Sequence, residues 1–205
     1  MSETLSISLN GTTDLPPGKI ATIVTSLEMT ARPERKADPP GTEAFSLDPI
    51  GRDDVARYLA IYRLLGERWM WFSRLMKPVS EMQALLADPA VLFFAARHEG
   101  RDVGLLELDF RETGEAELAF FGLDDSVLGR GAGRWLMNRA LDLAWAQPIR
   151  RFWVHTCTLD HPGALDFYQR SGFRAFRRGV EVADDPRLKD VLPRECAGYH
   201  PVIAE

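Results

Sequence analysis

Three glycines alternate in Gly129-Arg130-Gly131-Ala132-Gly133-Arg134, and two arginines share the stretch with them. Glycine has no Cβ to stand in front of its main-chain N–H groups. A helical pattern starts at the last of these glycines, so the partial positive end of a helix aims at the same place. The combination suits a phosphate-bearing ligand. Glycines between a strand and a helix also serve simply to turn the chain, so the loop alone leaves both readings open. Two familiar phosphate loops fail on specifics. A P-loop needs a Lys after its glycines, and none follows here. A dinucleotide fingerprint needs its glycines directly after a strand and an acidic residue about 20 positions on. Here residues 124–128 intervene, the sixth position is Arg134, and Ile149-Arg150-Arg151 stands where the acid belongs.

The stretch Leu128-Gly129-Arg130-Gly131-Ala132-Gly133 resembles the [QR]-x-x-G-x-[GA] loop of the GNAT superfamily of acyl-CoA-dependent N-acyltransferases. It matches at Gly131 and Gly133 and carries Leu128 where that family has Gln or Arg. A second block, from His161 to Phe173, resembles the family's N-x-x-A-x-x-x-Y-x-x-x-G-F. It matches at Ala164, Tyr168, Gly172 and Phe173, with His161 in place of Asn. The two blocks stand in the family's order, one helix and one strand apart. The resemblance extends over residues 42–182. It implies acetyl-CoA as co-substrate, no metal, and direct transfer of the acetyl group to a primary amine. It also implies an α/β (α+β) fold, with a central mixed, mostly antiparallel sheet flanked by helices and an extra N-terminal strand. That sheet would splay between the strand before the glycines and the strand after the next helix.

Acyl transfer from a thioester to an amine makes three demands. The amine must lose a proton, the carbonyl oxygen needs hydrogen bonds as it gains charge, and the leaving thiolate must be protonated. Glu117 is the candidate base. Strict alternation would set it on one strand face with Ala119, Phe121 and Leu123, among neighbours that desolvate a carboxylate and raise its pKa. Glu107, Asp109 and Glu115 are alternatives, and an exposed strand-end Glu117 is the plainer reading. Tyr168 is the candidate acid: an ordinary phenol near pKa 10 holds its proton beside a thiol near 8.5. It would otherwise be a core aromatic. Main-chain N–H groups near Phe121, Gly122 and Leu123 are expected to take the pantetheine arm and the thioester carbonyl. The pyrophosphate is expected on Gly129, Arg130, Gly131, Ala132, Gly133 and Arg134. His161 either reaches the cofactor or merely enters the helix. His155 either shapes the acceptor site or is a hydrogen-bonded core residue. The run Trp69-Met70-Trp71-Phe72 is pocket lining, core or a dimer contact.

Composition narrows the partners. The 205 residues carry a net charge of −5, which argues against nucleic acid or an anionic membrane as partner. Arg130, Arg134 and Arg139 read as a local patch for one anion, although Arg139 also suits a solvated helix face. The expected acceptor is a small-molecule or peptide amine, and a homodimer is left open. Two cysteines, Cys157 and Cys196, make no metal or disulfide pattern. The N-terminus lacks the charged and apolar regions of a signal peptide, and no apolar run is long enough to span a bilayer, so a cytoplasmic location is expected.

Several elements must position these residues. Strands are expected at 20–29, 42–49, 91–97, 102–110, 115–123, 151–158 and 173–182, with an edge strand at 199–203. Helices are expected from 55 to 66, 80 to 87, 133 to 146, and from Pro162 to Gly172. Glu99-Gly100 and Glu112-Thr113-Gly114 mark hairpin turns. The division is a 1–41 extension with one strand and a Pro-rich linker, a 42–183 acyltransferase domain, and a 184–205 tail. A non-catalytic acyl-CoA-binding module and an oligomeric interaction protein that reuses the fold are the rival readings.

Overall fold

The computed structural model describes residues 5–204. Seven strands form one sheet: β1 (Lys19–Met29), β2 (Phe45–Pro49), β3 (Val91–His98), β4 (Arg101–Asp109), β5 (Glu115–Leu123), β6 (Arg151–Cys157) and β7 (Arg174–Asp184). Four helices accompany them: α1 (Val55–Gly66), α2 (Val79–Leu86), α3 (Ala132–Ala144) and α4 (Ala164–Arg170). The strand order is β2-β3-β4-β5-β6-β1-β7. Every neighbouring pair is antiparallel except β5 with β6. The mixed, mostly antiparallel sheet expected from the two sequence blocks is present. The Glu99-Gly100 turn joins β3 to β4 with both residues at positive φ, the geometry that matches the twist of a tight hairpin.

The N-terminal strand is an interior strand, hydrogen-bonded to β6 on one side and β7 on the other. Its burial alternates at both ends, with Ile20, Leu27 and Met29 in the core. The Pro-rich stretch after it lies along α3. Arg32 and Arg35 pair with Asp142, Asp38 pairs with Arg139 at 2.7 Å, and the Asn138 amide donates to the Lys36 carbonyl and to Asp38. The second half of α3 thereby holds the linker, and the glycine loop stands at that helix's start.

Two cores flank the sheet. The first lies under α3 and α4 and contains Trp135, Leu136, Met137, Ala140 and Leu141, the apolar stripe of α3 at helical spacing. The second lies under α1 and α2 and holds Tyr58, Tyr62, Leu65, Met82, Phe93 and Leu105. A third, smaller cluster joins Met70 to Ile20, Leu159, Leu192 and Cys196.

The C-terminal tail builds that third cluster instead of adding an edge strand: residues 199–203 form no strand. The Arg187 guanidinium is buried against Asp185 at 2.7 Å. It also donates to the carbonyls of Cys196 and His200, and a buried cation needs that many acceptors. These bonds fold the tail back on itself beside Ile20 of β1 and Ala183 of β7. No described helix is long and apolar enough to cross a membrane.

Candidate active site

The glycine bend begins where β5 ends. The Asp124 carboxylate accepts from the Ser126 N–H at 3.0 Å and turns the chain, and buried Val127 anchors it. Asp125 makes two 2.6 Å contacts with Arg68, tying the bend to the segment after α1. Gly131 caps α3 at φ +80°, and a Cβ there would fall 2.5 Å from that of Pro39, so glycine is required on both counts. Among the described residues, none accepts a hydrogen bond from the main-chain N–H groups of Gly129 to Arg134. Leu128, Gly129 and Arg130 are exposed. Leu128 therefore contributes main chain to the bend, and its side chain stands in solvent. Arg139 is spent on Asp38, whereas Arg130 and Arg134 have no ion pair among the described residues. The bend thus combines free main-chain donors, a helix start and two arginines without an ion pair among the described residues, the chemistry that suits a phosphate group.

The sheet splays beside this bend. β5 pairs with β6 only through Glu115–Arg151, Ala116–Phe152 and Glu117–Trp153. Beyond that point β6 follows β1, and the strands part. From Leu118 to Leu123 the β5 main chain keeps one neighbour, β4. Its alternate N–H and C=O groups face the gap unpaired. A cavity of about 490 Å³ occupies the gap. It runs from Leu128 and Gly133, past Phe121, Gly122, Leu123 and Tyr168, to His155, Cys157 and Glu181.

A bulge in β5 changes which residues face which way. Leu118 pairs with Leu108 and Phe120 with Glu107, so Ala119 is the extra residue. Strict alternation therefore fails. Glu117 shares its face with Phe120 and Gly122, while Phe121 and Leu123 point to the opposite core with Leu118. The apolar neighbours expected around Glu117 are on the other side of the sheet. Its Oε1 instead lies 3.2 Å from Nδ1 of His155. That carboxylate raises the His155 pKa above its usual value, against desolvation, with smaller help from Asp160 and Glu181.

The other carboxylates considered as bases are committed elsewhere. Glu107 is buried against the Tyr58 hydroxyl at 2.7 Å and the Arg74 guanidinium, and its burial pushes its pKa up. Asp109 pairs with Arg111 and Glu115 with Arg151. None of the three lines the cavity.

Tyr168 sits on α4, buried, with its ring edge against Phe121 and Phe173. Its hydroxyl has no hydrogen-bond partner among the described residues, and the residue lines the cavity. Burial, aided by the charge of Asp160, lifts its pKa well above the ordinary phenol value, so the proton is held firmly. His161 occupies the helix entry: its Nδ1 accepts from the Gly163 N–H at 3.0 Å, and its ring packs edge-on against Trp69 at 5.3 Å. It also lines the cavity from that position.

The aromatic run is wall and core together. Trp71 fills the space where a Gly66 or Gly122 side chain would stand, 2.4 and 3.0 Å from those added Cβ positions. Gly122 thus admits an indole as well as bordering the cavity. Sequence reasoning missed Asp160. It accepts from Trp71 Nε1 at 3.2 Å, from the Thr156 hydroxyl at 2.7 Å and from the Cys157 N–H at 2.8 Å, and it lines the cavity. Its one local signal is an Asp in the turn before His161-Pro162, a common loop residue. Burial raises the Cys157 thiol, which leaves it a poor nucleophile.

The acetyltransferase (GNAT) family model matches residues 58–173, more than half of the chain. A GNAT-family protein from Novosphingobium aromaticivorans is 18% identical with a TM-score of 0.57, covering 83% of this chain and 68% of its own. An acetyltransferase from Thermus thermophilus is 20% identical with a TM-score of 0.53, covering 68% and 96%. An aminoglycoside acetyltransferase from an uncultured soil metagenomic sample, in complex with sisomicin, is 18% identical with a TM-score of 0.53, covering 63% and 88%. At these identities the likeness is one of fold. No curated protein matches the chain.

Proposed function

The chain belongs to the acetyltransferase (GNAT) family, and from that premise we propose that it moves an acetyl group from acetyl-CoA to a primary amine by direct attack. The observation that carries this reading is a cavity that reaches the bend at Leu128 and Gly133 and runs along the open edge of β5 past Tyr168 to His155. The free N–H groups of the bend, with Arg130 and Arg134, take the pyrophosphate. The unpaired edge of β5 at Phe121, Gly122 and Leu123 takes the pantetheine arm and the thioester carbonyl. Tyr168 supplies the proton for the departing thiolate. Glu117, paired with His155 at 3.2 Å, serves deprotonation of the amine at the other end. Cys157 takes no covalent part.

A small-molecule amine is the better fit of the two acceptor types. The cavity volume falls in the ordinary range for small-ligand sites, roughly 300–1,000 Å³, and Trp69, Met70, Trp71 and Phe72 wall it. The 42–183 segment forms the acyltransferase unit in this reading, with the extension lending β1 to its sheet and the tail packing behind Met70. A cytoplasmic setting belongs to the same proposal.

Thiol release from acetyl-CoA against a panel of primary amines tests the reading. At least one amine should give turnover. Stabilisation of the fold by coenzyme A, about 2.7 kcal/mol at a hundred times Kd, without release for any amine would instead identify a binding module.

A further inference from the structure

Glu117 does not itself line the cavity. It stands at the closed root of the splay, on the last residue pair that joins β5 to β6. Two residues along β6, where the strands have parted, His155 does line it. The side chain of His155 is 46% exposed and that of Glu117 only 23%. Nδ1 of the imidazole is turned to the Glu117 carboxylate at 3.2 Å, and Nε2 has no partner among the described residues. A carboxylate at one ring nitrogen holds the proton there and leaves the other as the basic lone pair.

Resting on the acetyl-transfer reading above, we infer that His155 takes the proton from the acceptor ammonium, and that Glu117 is a positioning residue acting through it. The N–H bond of the ammonium breaks and the proton goes to Nε2. The freed nitrogen lone pair forms the bond to the thioester carbon. As the C–S bond breaks, Tyr168 gives its proton to the sulfur, and the proton left on the amide nitrogen returns to the Tyr168 oxygen. His155 then releases its proton to solvent, which its exposure allows. Charge accounts for the pairing: Glu117 from β5, Asp160 from the loop before α4 and Glu181 from β7 surround the ring, all of a sign that stabilises imidazolium. The Cys157 thiol is two residues along β6 and is held protonated by burial. On the β1 side Ser26 is the register partner of His155, and Arg177 follows one strand further, in register with Ser26. Arg174, in register with Glu28, is a second cation on that strand.

The test uses the full chain with the best amine found in the panel. His155→Gln should lower kcat/KM by about 100-fold or more and remove the rising limb of its pH profile. His155→Ala should recover activity on addition of imidazole, a response that a merely structural role would not give. Glu117→Gln should keep a limb, displaced to lower pH, with the His155 imidazole titrating lower by NMR. A His155→Gln enzyme that keeps the wild-type limb overturns the inference. So does an imidazole titration that is unchanged in Glu117→Gln. Absence of release from the wild-type chain overturns the acetyl-transfer reading itself, and is distinguishable because the wild type is assayed first.

Discussion

The two ends of the cavity are built in different ways. At the bend, six consecutive residues from Gly129 to Arg134 present main-chain donors, and the positive charge comes from two side chains in that same run. At the amine end, His155 comes from β6, Glu117 from β5, Glu181 from β7, Asp160 from a loop, and the aromatic walls from the segment after α1. The bend is cationic. The far end carries carboxylates, while Arg68 is paired with Asp125 beside the bend. In the proposed reading that contrast would sort an anionic nucleotide and a cationic amine to opposite ends by charge. The difference teaches that a common donor can be held by a contiguous motif, while an acceptor must be recognised by a surface only the complete fold assembles.

Four variants would break or sharpen this contrast. The largest effect is expected between the two ends. Tyr168→Phe should lower kcat about 100-fold with little change in KM for acetyl-CoA. It should leave stability nearly untouched, since the hydroxyl makes no bond that is lost. Stopped-flow thiol release together with a melting curve checks both halves, and full activity at saturating donor would remove Tyr168 from the acid role.

Gly131→Ala comes next. It imposes φ +80° on an L-residue and drives a methyl into Pro39. A loss of ~2 kcal/mol in stability is expected from the conformation and overpacking together, with KM for acetyl-CoA up roughly tenfold, as about 1.4 kcal/mol of lost binding implies. Chemical denaturation and donor titrations read the two numbers, and an unaffected donor KM would detach the bend from the ligand.

Replacing Arg130 and Arg134 by Ala together should raise the donor KM by about tenfold, the worth of one to two charge-assisted contacts that stay partly wet. The acceptor KM should not move. The wild-type donor KM should rise with salt and the variant's should rise less. A change in amine KM instead of donor KM would reverse the assignment of the two ends. Glu181→Gln is the smallest. An exposed charge beside a cationic substrate is worth about 0.2–1 kcal/mol, so the amine KM should rise up to about fivefold at low salt and the donor KM should stay put.

The sequence legibility of the site divides along the same line. The turn at Gly129, Gly131 and Gly133 into α3 could be read directly, because glycine conformation and a helix start are properties of neighbouring residues. Tyr168 was reachable through spacing from Ala164. The strand order of β3, β4 and β5 followed from turn signals at Glu99-Gly100 and Glu112-Thr113-Gly114. The bulge at Ala119 was not legible. It is defined by pairing with Leu108 and Glu107, so the face on which Glu117 lies depends on a strand that precedes it in the chain. The edge strand expected at 199–203 failed for a similar reason. Its apolar residues look strand-like, yet the buried guanidinium of Arg187 claims the carbonyls around them.

Sequence alone determined what is local: the glycine bend, the helix that starts there, the α4 block with its tyrosine, and the mixed sheet that links them. Tertiary structure alone decided that β1 enters the sheet between β6 and β7, that Glu117 meets His155, that Asp160 lines the far end, and that the tail packs against Met70. The physical reason is range. Glycine conformation, helix dipoles and turn preferences act over a few bonds, whereas register, bulges and buried ion pairs are settled by partners a hundred or more residues away, such as Glu28 for Arg151.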